Sequence, residues 1–277
     1  MIAVQNVSVA LGGRPVLHDI SFEVPPGTVC GYVGPNGAGK TTTIRLLTGA
    51  LRPDTGTVSV GGADVVARPV EAKRRFGFVP EHGNLYESFT PTEYLAFIGR
   101  MHELDEDTLA ARSHAHLHFW GLDAAAHQSM TGFSKGMKQK VLIAAALLHD
   151  PPVLLMDEPL SGLDAHAVLQ TRALLRTLVT RGRTVFYSSH LLDAVEKVAD
   201  LVIVLRDGAI VGTGTPDEIK AGTGEASLED AFGRLTAAAD AYDEAETLIA
   251  SAFAPAPVVP IPLPPRPAAV PPAADAA

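Results

Sequence analysis

An α/β fold with a mainly parallel sheet is what this sequence predicts, and three observations carry the prediction. Short apolar runs bounded by turn residues recur, as in "TVCGYVG" and "PVLLMDEP", and strands buried on both faces of a parallel sheet read this way. Segments of helical periodicity, such as "KTTTIRLLTGAL" and "AVLQTRALLRTLVTRG", stand between them. Apolar residues make up 47% of 277, which supplies a core for one large domain or two small ones.

The first thirty residues behave differently. In "DISFEV", Ile20, Phe22 and Val24 face one way with Ser21 and Glu23 between them, the period of half-buried antiparallel strands. "TVCGYVG" then predicts a buried strand, a tight loop and a helix. "PDTGTVSVGGADV" reads as a hairpin region and "FGFVPE" as a short strand. From about Ser88 to Leu148 the pattern turns helical, and Pro91 and Glu93 suit a first turn. "PVLLMDEP" is the next buried strand. The helix after it closes at Gly182. "TVFYSSH" is a further strand, and "LVIVLRDGAIVGTG" is two strands around an Asp-Gly turn. Near the end, Tyr242, Ala245, Leu248, Ile249 and Phe253 recur at helical spacing, predicting a short helix within 234–254. The segment 255–277 holds nine of the 21 prolines and reads as a Pro/Ala-rich, disordered or polyproline-like tail.

Composition excludes several functions. A net charge of −9 argues against a nucleic-acid partner. The single cysteine, Cys30, forbids an internal disulfide and fits a reducing compartment. No cationic segment precedes an apolar stretch at the N-terminus, so no secretory signal is read. The longest uncharged apolar run, Val141 to Leu148, is far short of the roughly 20 residues that span a bilayer.

The chemistry begins at "GPNGAGKTT": Gly34, Pro35, Asn36, Gly37, Ala38, Gly39, Lys40, Thr41 and Thr42. Glycines at three of these positions let successive backbone N–H groups converge on one anion. A helix starting near Lys40 adds its positive end. Lys40 supplies a charge for β- and γ-phosphates, and Thr41 a hydroxyl for Mg²⁺. The phosphates of a nucleotide and Mg²⁺ are therefore the expected ligands. Asp157, 117 residues after Lys40, ends an apolar strand and is the expected metal partner. Glu158 beside it suits activation of an attacking water. His190 ends the strand expected next to it, within reach of the γ-phosphate or the water.

In order, "GPNGAGKTT", "FSKGMKQK", "VLLMDEP", "LSGLD" and "SSH" resemble the nucleotide-binding subunits of ATP-binding cassette (ABC) transporters over residues 1–233. "PEHGNLYESFTPTEYL" is similar to the exporter-like members that pair with ABC-2-type permeases. The resemblance implies a P-loop core, an N-terminal antiparallel β subdomain and an inserted helical subdomain at about 88–150. It implies that Ser134, Lys135, Gly136 and Met137 meet the ATP held by an opposite subunit. Ser161 and Asp164 would lie at that subunit boundary, and Glu81 would approach Mg²⁺. Two like or unlike ATPase chains would close on two ATP and drive a membrane permease, with export implied by the subclass. The chain would sit in the cytoplasm, peripheral on the inner face of the membrane through that permease. Phe89, Tyr94 and Phe97 are candidate permease contacts.

The sequence departs from the family pattern at Leu11, where an aromatic usually stacks on adenine, at Glu81, where many members have glutamine, and at Lys135 and Met137, which replace a glycine and a glutamine. None removes a phosphate ligand, so an active ATPase is expected. His114 and His118 share a helix face, but no further ligand completes a metal site, and they read as a surface helix. A soluble ABC ATPase acting on DNA or ribosomes is the alternative. The 117-residue spacing leaves no room for long coiled coils, and there is one cassette rather than two. A kinase or other P-loop enzyme leaves "SKGMKQK" and "SGLD" unexplained.

Overall fold

The computed structural model describes residues 1–81 and 85–236. The helix read over 234–254 falls outside these residues after its first three positions, and the tail at 255–277 wholly so.

The chain opens with β1 (Ile2–Leu11) and β2 (Arg14–Val24), joined by Gly12–Gly13. Both glycines have positive φ, the backbone of a two-residue hairpin turn whose twist matches the strands. Ile20, Phe22 and Val24 are buried while Ser21 and Glu23 are exposed, so the period of two is a real sheet face. β3 (Val29–Val33) is buried along its length. α1 (Lys40–Leu47) follows, then β4 (Thr55–Val60) and β5 (Ala63–Asp64), which complete an antiparallel sheet of order β2-β1-β4-β5.

α2 (Pro69–Arg74) leads into β6 (Phe76–Val79). α3 (Pro91–Met101) starts on a reciprocal cap. Thr90 accepts from the Glu93 N–H while Glu93 accepts from the Thr90 N–H, and Pro91 occupies the first helical position. α4 (Glu106–Phe119) begins at Asp105, which accepts from the Thr108 N–H. α5 (Lys135–Leu147) has Ser134 as its N-cap. β7 (Val153–Asp157) is again fully buried, and α6 (Ala165–Thr180) is capped by Asp164, whose carboxylate accepts from the Ala167 N–H at 2.8 Å. β8 (Thr184–Ser189), α7 (Leu192–Glu196), β9 (Leu201–Arg206), β10 (Ala209–Gly214), α8 (Pro216–Thr223) and α9 (Leu228–Leu235) finish the described chain.

The main sheet has the order β10-β9-β3-β8-β7-β6. All its pairings are parallel except β9–β10, an antiparallel edge hairpin through Asp207–Gly208. The two faces of the sheet feed two cores. Val29, Val33, Val185 and Tyr187 face the core shared with α5, where Trp120 is also buried. Cys30, Tyr32 and Phe186 face the opposite way, onto α1 and the antiparallel sheet. There Phe22, Tyr32 and Phe186 form a three-ring cluster with centroids 5.1 to 5.9 Å apart. Alternate residues of β3 and β8 thus serve different cores, which is why these strands read as unbroken apolar runs.

Candidate functional site

The phosphate loop lies between β3 and α1. Gly34 passes so close to β9 that a Cβ there would meet the Leu205 carbonyl oxygen at 2.5 Å. Gly39 has φ +109° and a Cβ on it would meet Leu17 at 2.7 Å. Neither position tolerates a side chain, so the loop's path is set by packing as well as by turn geometry. Lys40, the first residue of α1, donates from Nζ to the carbonyls of Gly34 (2.6 Å) and Pro35 (3.1 Å). Its burial lowers its pKa; the charges of Glu158, Asp157 and Glu81 oppose that shift.

One cavity of about 460 Å³ collects the pieces. Asn36, Gly37, Gly39, Lys40, Thr41 and Thr42 form one wall, and Glu81, Asp157, Glu158 and His190 another. These residues come from the ends of β3, β6, β7 and β8 and the start of α1, which is where a parallel sheet gathers ligands. The oxygen-rich set of Thr41, Glu81 and Asp157 fits a hard divalent cation such as Mg²⁺.

The carboxylates are held in different ways. Asp157 accepts from the Ser188 hydroxyl at 2.5 Å. Burial raises its pKa, the Ser188 bond opposes that, and Glu81 adds to the rise. Glu158 follows the end of β7 with φ +46°, a conformation uncommon outside glycine. Its Oε1 lies 2.8 Å from His190 Nδ1, and Ser189 donates to its Oε2 at 3.5 Å. These two side-chain contacts bear on the carboxylate's orientation, and the left-handed backbone sets where the side chain leaves β7. His190 thus meets Glu158 and lines the same cavity as Lys40 and Asp157.

The "FSKGMKQK" segment is built separately. Ser134 accepts from the Met137 N–H at 3.2 Å and so caps α5. Lys135 donates to Ser161 Oγ at 2.8 Å, and Lys138 pairs with Glu87 at 2.6 Å. A Cβ on Gly136 would meet the Gly162 carbonyl oxygen at 2.8 Å, and Gln139, buried, donates to the Pro159 carbonyl. The segment therefore packs along residues 159–162. Ser134, Lys135, Gly136, Met137, Ser161 and Asp164 do not line the cavity.

A match to the family model described as ABC transporter runs over residues 17–161. The chain belongs to the ABC transporter family. It is similar to Nod factor export ATP-binding protein I of Burkholderia lata, 37% identical over 212 residues covering 76% of this chain and 70% of that protein. The linearmycin resistance ATP-binding protein LnrL of Bacillus subtilis is 34% identical over 219 residues, covering 79% of this chain and 70% of its own length. A solved ATP-binding subunit of an ABC transporter superposes with a TM-score of 0.81 at 32% identity, over 85% of this chain and 99% of that one. The cassette is an ATP-binding, ATP-hydrolysing subunit of a transporter. Such subunits dimerise and pair with transmembrane permease subunits. Among the described residues no helix is long and apolar enough to cross a membrane.

Some of the site was not read from sequence. Val16 lines the cavity, whereas Leu11, the residue aligned with the adenine-stacking place, ends β1 and does not. The serines holding Asp157 and Glu158 stood in plain view beside His190 in "SSH", a recoverable signal. Tyr94, expected as a permease contact, is buried in the core; the exposed neighbour of Phe89 and Phe97 is Tyr86, with ring centroids 5.5 and 5.8 Å from theirs. His114 and His118 stack in parallel on α4, 6.2 Å apart.

Proposed function

We infer that this cassette hydrolyses Mg-ATP to drive an ABC-2-type exporter from the cytoplasmic face of the membrane. The observation that carries the reading is the convergence of Lys40, Thr41, Glu81, Asp157, Glu158 and His190 on one cavity. The subclass draws support from relatives named for Nod factor export and linearmycin resistance.

The roles follow from the contacts. Backbone N–H groups of the loop and the Lys40 ammonium bind the β- and γ-phosphates. Thr41, Asp157 and Glu81 hold Mg²⁺, which neutralises phosphate charge when bound. Glu158 takes the proton of the attacking water, and His190 and Ser189 keep its carboxylate aimed. Ser134 and Gly136 complete the site on the γ-phosphate of an opposite chain, with Ser161 and Asp164 at the boundary between the two. Tyr86, Phe89 and Phe97, on the surface near α3, offer an aromatic patch to a helix of the permease. ATP-driven closure and hydrolytic reopening transmit the motion.

The test is turnover by the purified cassette with and without Mg²⁺, and recruitment of the cassette to vesicles carrying a candidate ABC-2-type permease. Mg²⁺-dependent turnover and permease-dependent recruitment are expected. Turnover that survives chelation would contradict the metal assignment. Equal binding to vesicles lacking the permease would contradict the partner.

A further inference from the structure

The lysine that departs from the family signature has a partner inside its own chain. Lys135 Nζ donates to Ser161 Oγ at 2.8 Å. Its stem lies over Gly162, where a Cβ would meet Lys135 Cδ at 2.7 Å. Gly162 has φ +80°, so the turn beneath the lysine is one that an ordinary side chain would both strain and obstruct. Lys138, three residues on, has a carboxylate partner in Glu87. Lys135 instead donates to a neutral hydroxyl.

The turn that Lys135 covers is wired to Glu158. The Ser161 N–H donates to the Glu158 carbonyl at 3.1 Å, the Leu163 N–H to the Leu160 carbonyl at 3.3 Å, and Asp164 anchors the far end by capping α6. Glu158 is itself held in a left-handed conformation at φ +46°. A displacement of Ser161 therefore reaches the Glu158 backbone through one hydrogen bond and three residues. An ammonium binds a multiply charged phosphate more strongly than a neutral hydroxyl.

We propose that Lys135 is a positioning residue: it holds Ser161, and through it the turn behind Glu158, and transfers to a phosphoryl oxygen of the nucleotide on a partner copy's phosphate loop. The transfer releases Ser161, so occupancy of one site is felt at the base of the other. This rests on the two-chain site under Proposed function, and its test separates the two ideas.

Amide hydrogen exchange over residues 158–164 of the full chain without nucleotide reads the hold alone. Lys135→Met and Ser161→Ala should each speed exchange about fivefold, and the double variant no more than either, as for two members of one contact. Unchanged or additive exchange would overturn the hold. The transfer is read in the Hill coefficient for ATP hydrolysis, which Lys135→Met should bring towards one and Lys135→Arg should restore. A lysine acting only as packing leaves that coefficient unmoved, and this outcome would overturn the transfer. A Glu158→Gln chain that stays monomeric with Mg-ATP would overturn the two-chain site, and the transfer with it, while leaving the exchange result to stand.

Discussion

The two ends of the ATP machinery on this chain are made in opposite ways. At the phosphate loop, backbone does the work: Gly34 and Gly39 sit where no side chain fits, and Lys40 is held against the loop's own carbonyls. At the α5 start, side chains do it. Ser134 caps the helix, Lys135 reaches Ser161, Lys138 reaches Glu87 and Gln139 reaches Pro159. The first end shares a cavity with Asp157 and Glu158, and the second does not. One chain thus carries the hydrolytic cavity and, apart from it, an α5 start that we propose completes the site of a second chain. The difference teaches that the second end is to be judged by what a second chain brings.

The largest effect expected falls on the first end. Glu158→Gln should slow hydrolysis by about 10²–10⁴-fold, the range of general-base catalysis, with ATP binding retained. Single-turnover and binding assays on the purified variant check both halves of that statement. Unchanged turnover would remove Glu158 from the chemistry.

The second end is probed by Gly136→Ala. Its new Cβ would meet the Gly162 carbonyl oxygen at 2.8 Å and push residues 159–162 off α5. Hydrolysis should fall about tenfold or more, with nucleotide binding to the isolated chain unaltered and a stability loss of about 1–3 kcal/mol in urea titration. Lost nucleotide binding would mean the two ends are not separate.

His190→Ala sharpens the first end. Removing the Nδ1 partner leaves Glu158 with only the long Ser189 contact, so kcat should drop about tenfold with little change in KM. A change in KM alone would make His190 a phosphate ligand rather than an aid to the base.

The smallest effect lies just past the far end of α5. His149 stacks on His102 at 3.6 Å, and its Nε2 lies 3.2 Å from the Phe76 carbonyl. Burial, then the neighbouring His102, pulls its pKa down to about 4. An unfolded chain keeps the ordinary value near 6.5, so between about 6.5 and 4 the unfolded state binds more protons. The neutral ring's contribution is whole above pH 6.5 and is lost as pH falls towards 4. His149→Gln should flatten this part of the pH–stability curve by about 1 kcal/mol, a figure reduced for solvent screening. ATPase activity at pH 7.5 should not follow it.

How legible this was depended on the range of the forces involved. β3 and β7 announced themselves because both of their faces are buried, and the Pro91–Glu93 cap because all its atoms lie within four residues. The positions of Asp157, Glu158 and His190 followed from strand ends in a parallel sheet. Tyr94 lies in the core rather than on the surface, because helical spacing identifies a face without saying which neighbour covers it. The partners of Lys135 and Lys138 lie 26 and 51 residues away. No local pattern encodes such pairs, since they depend on how α5 docks against the turn after β7 and the segment before α3. The segment "FSKGMKQK" by itself therefore gives no sign that Lys135 and Lys138 have partners in their own chain.

Mixing two inactive chains tests whether one ATP site is built from two chains. Lys40→Ala breaks the phosphate loop, and Gly136→Asp breaks the α5 start. Each variant alone should be inactive. Mixed in equal amounts, they should recover about a quarter of the wild-type ATPase rate, because random pairing makes half the dimers mixed and each carries one intact site of two. Recovery on that scale is expected for a site built from two chains. A mixture as inactive as its components, with dimers present, would contradict a site shared between chains.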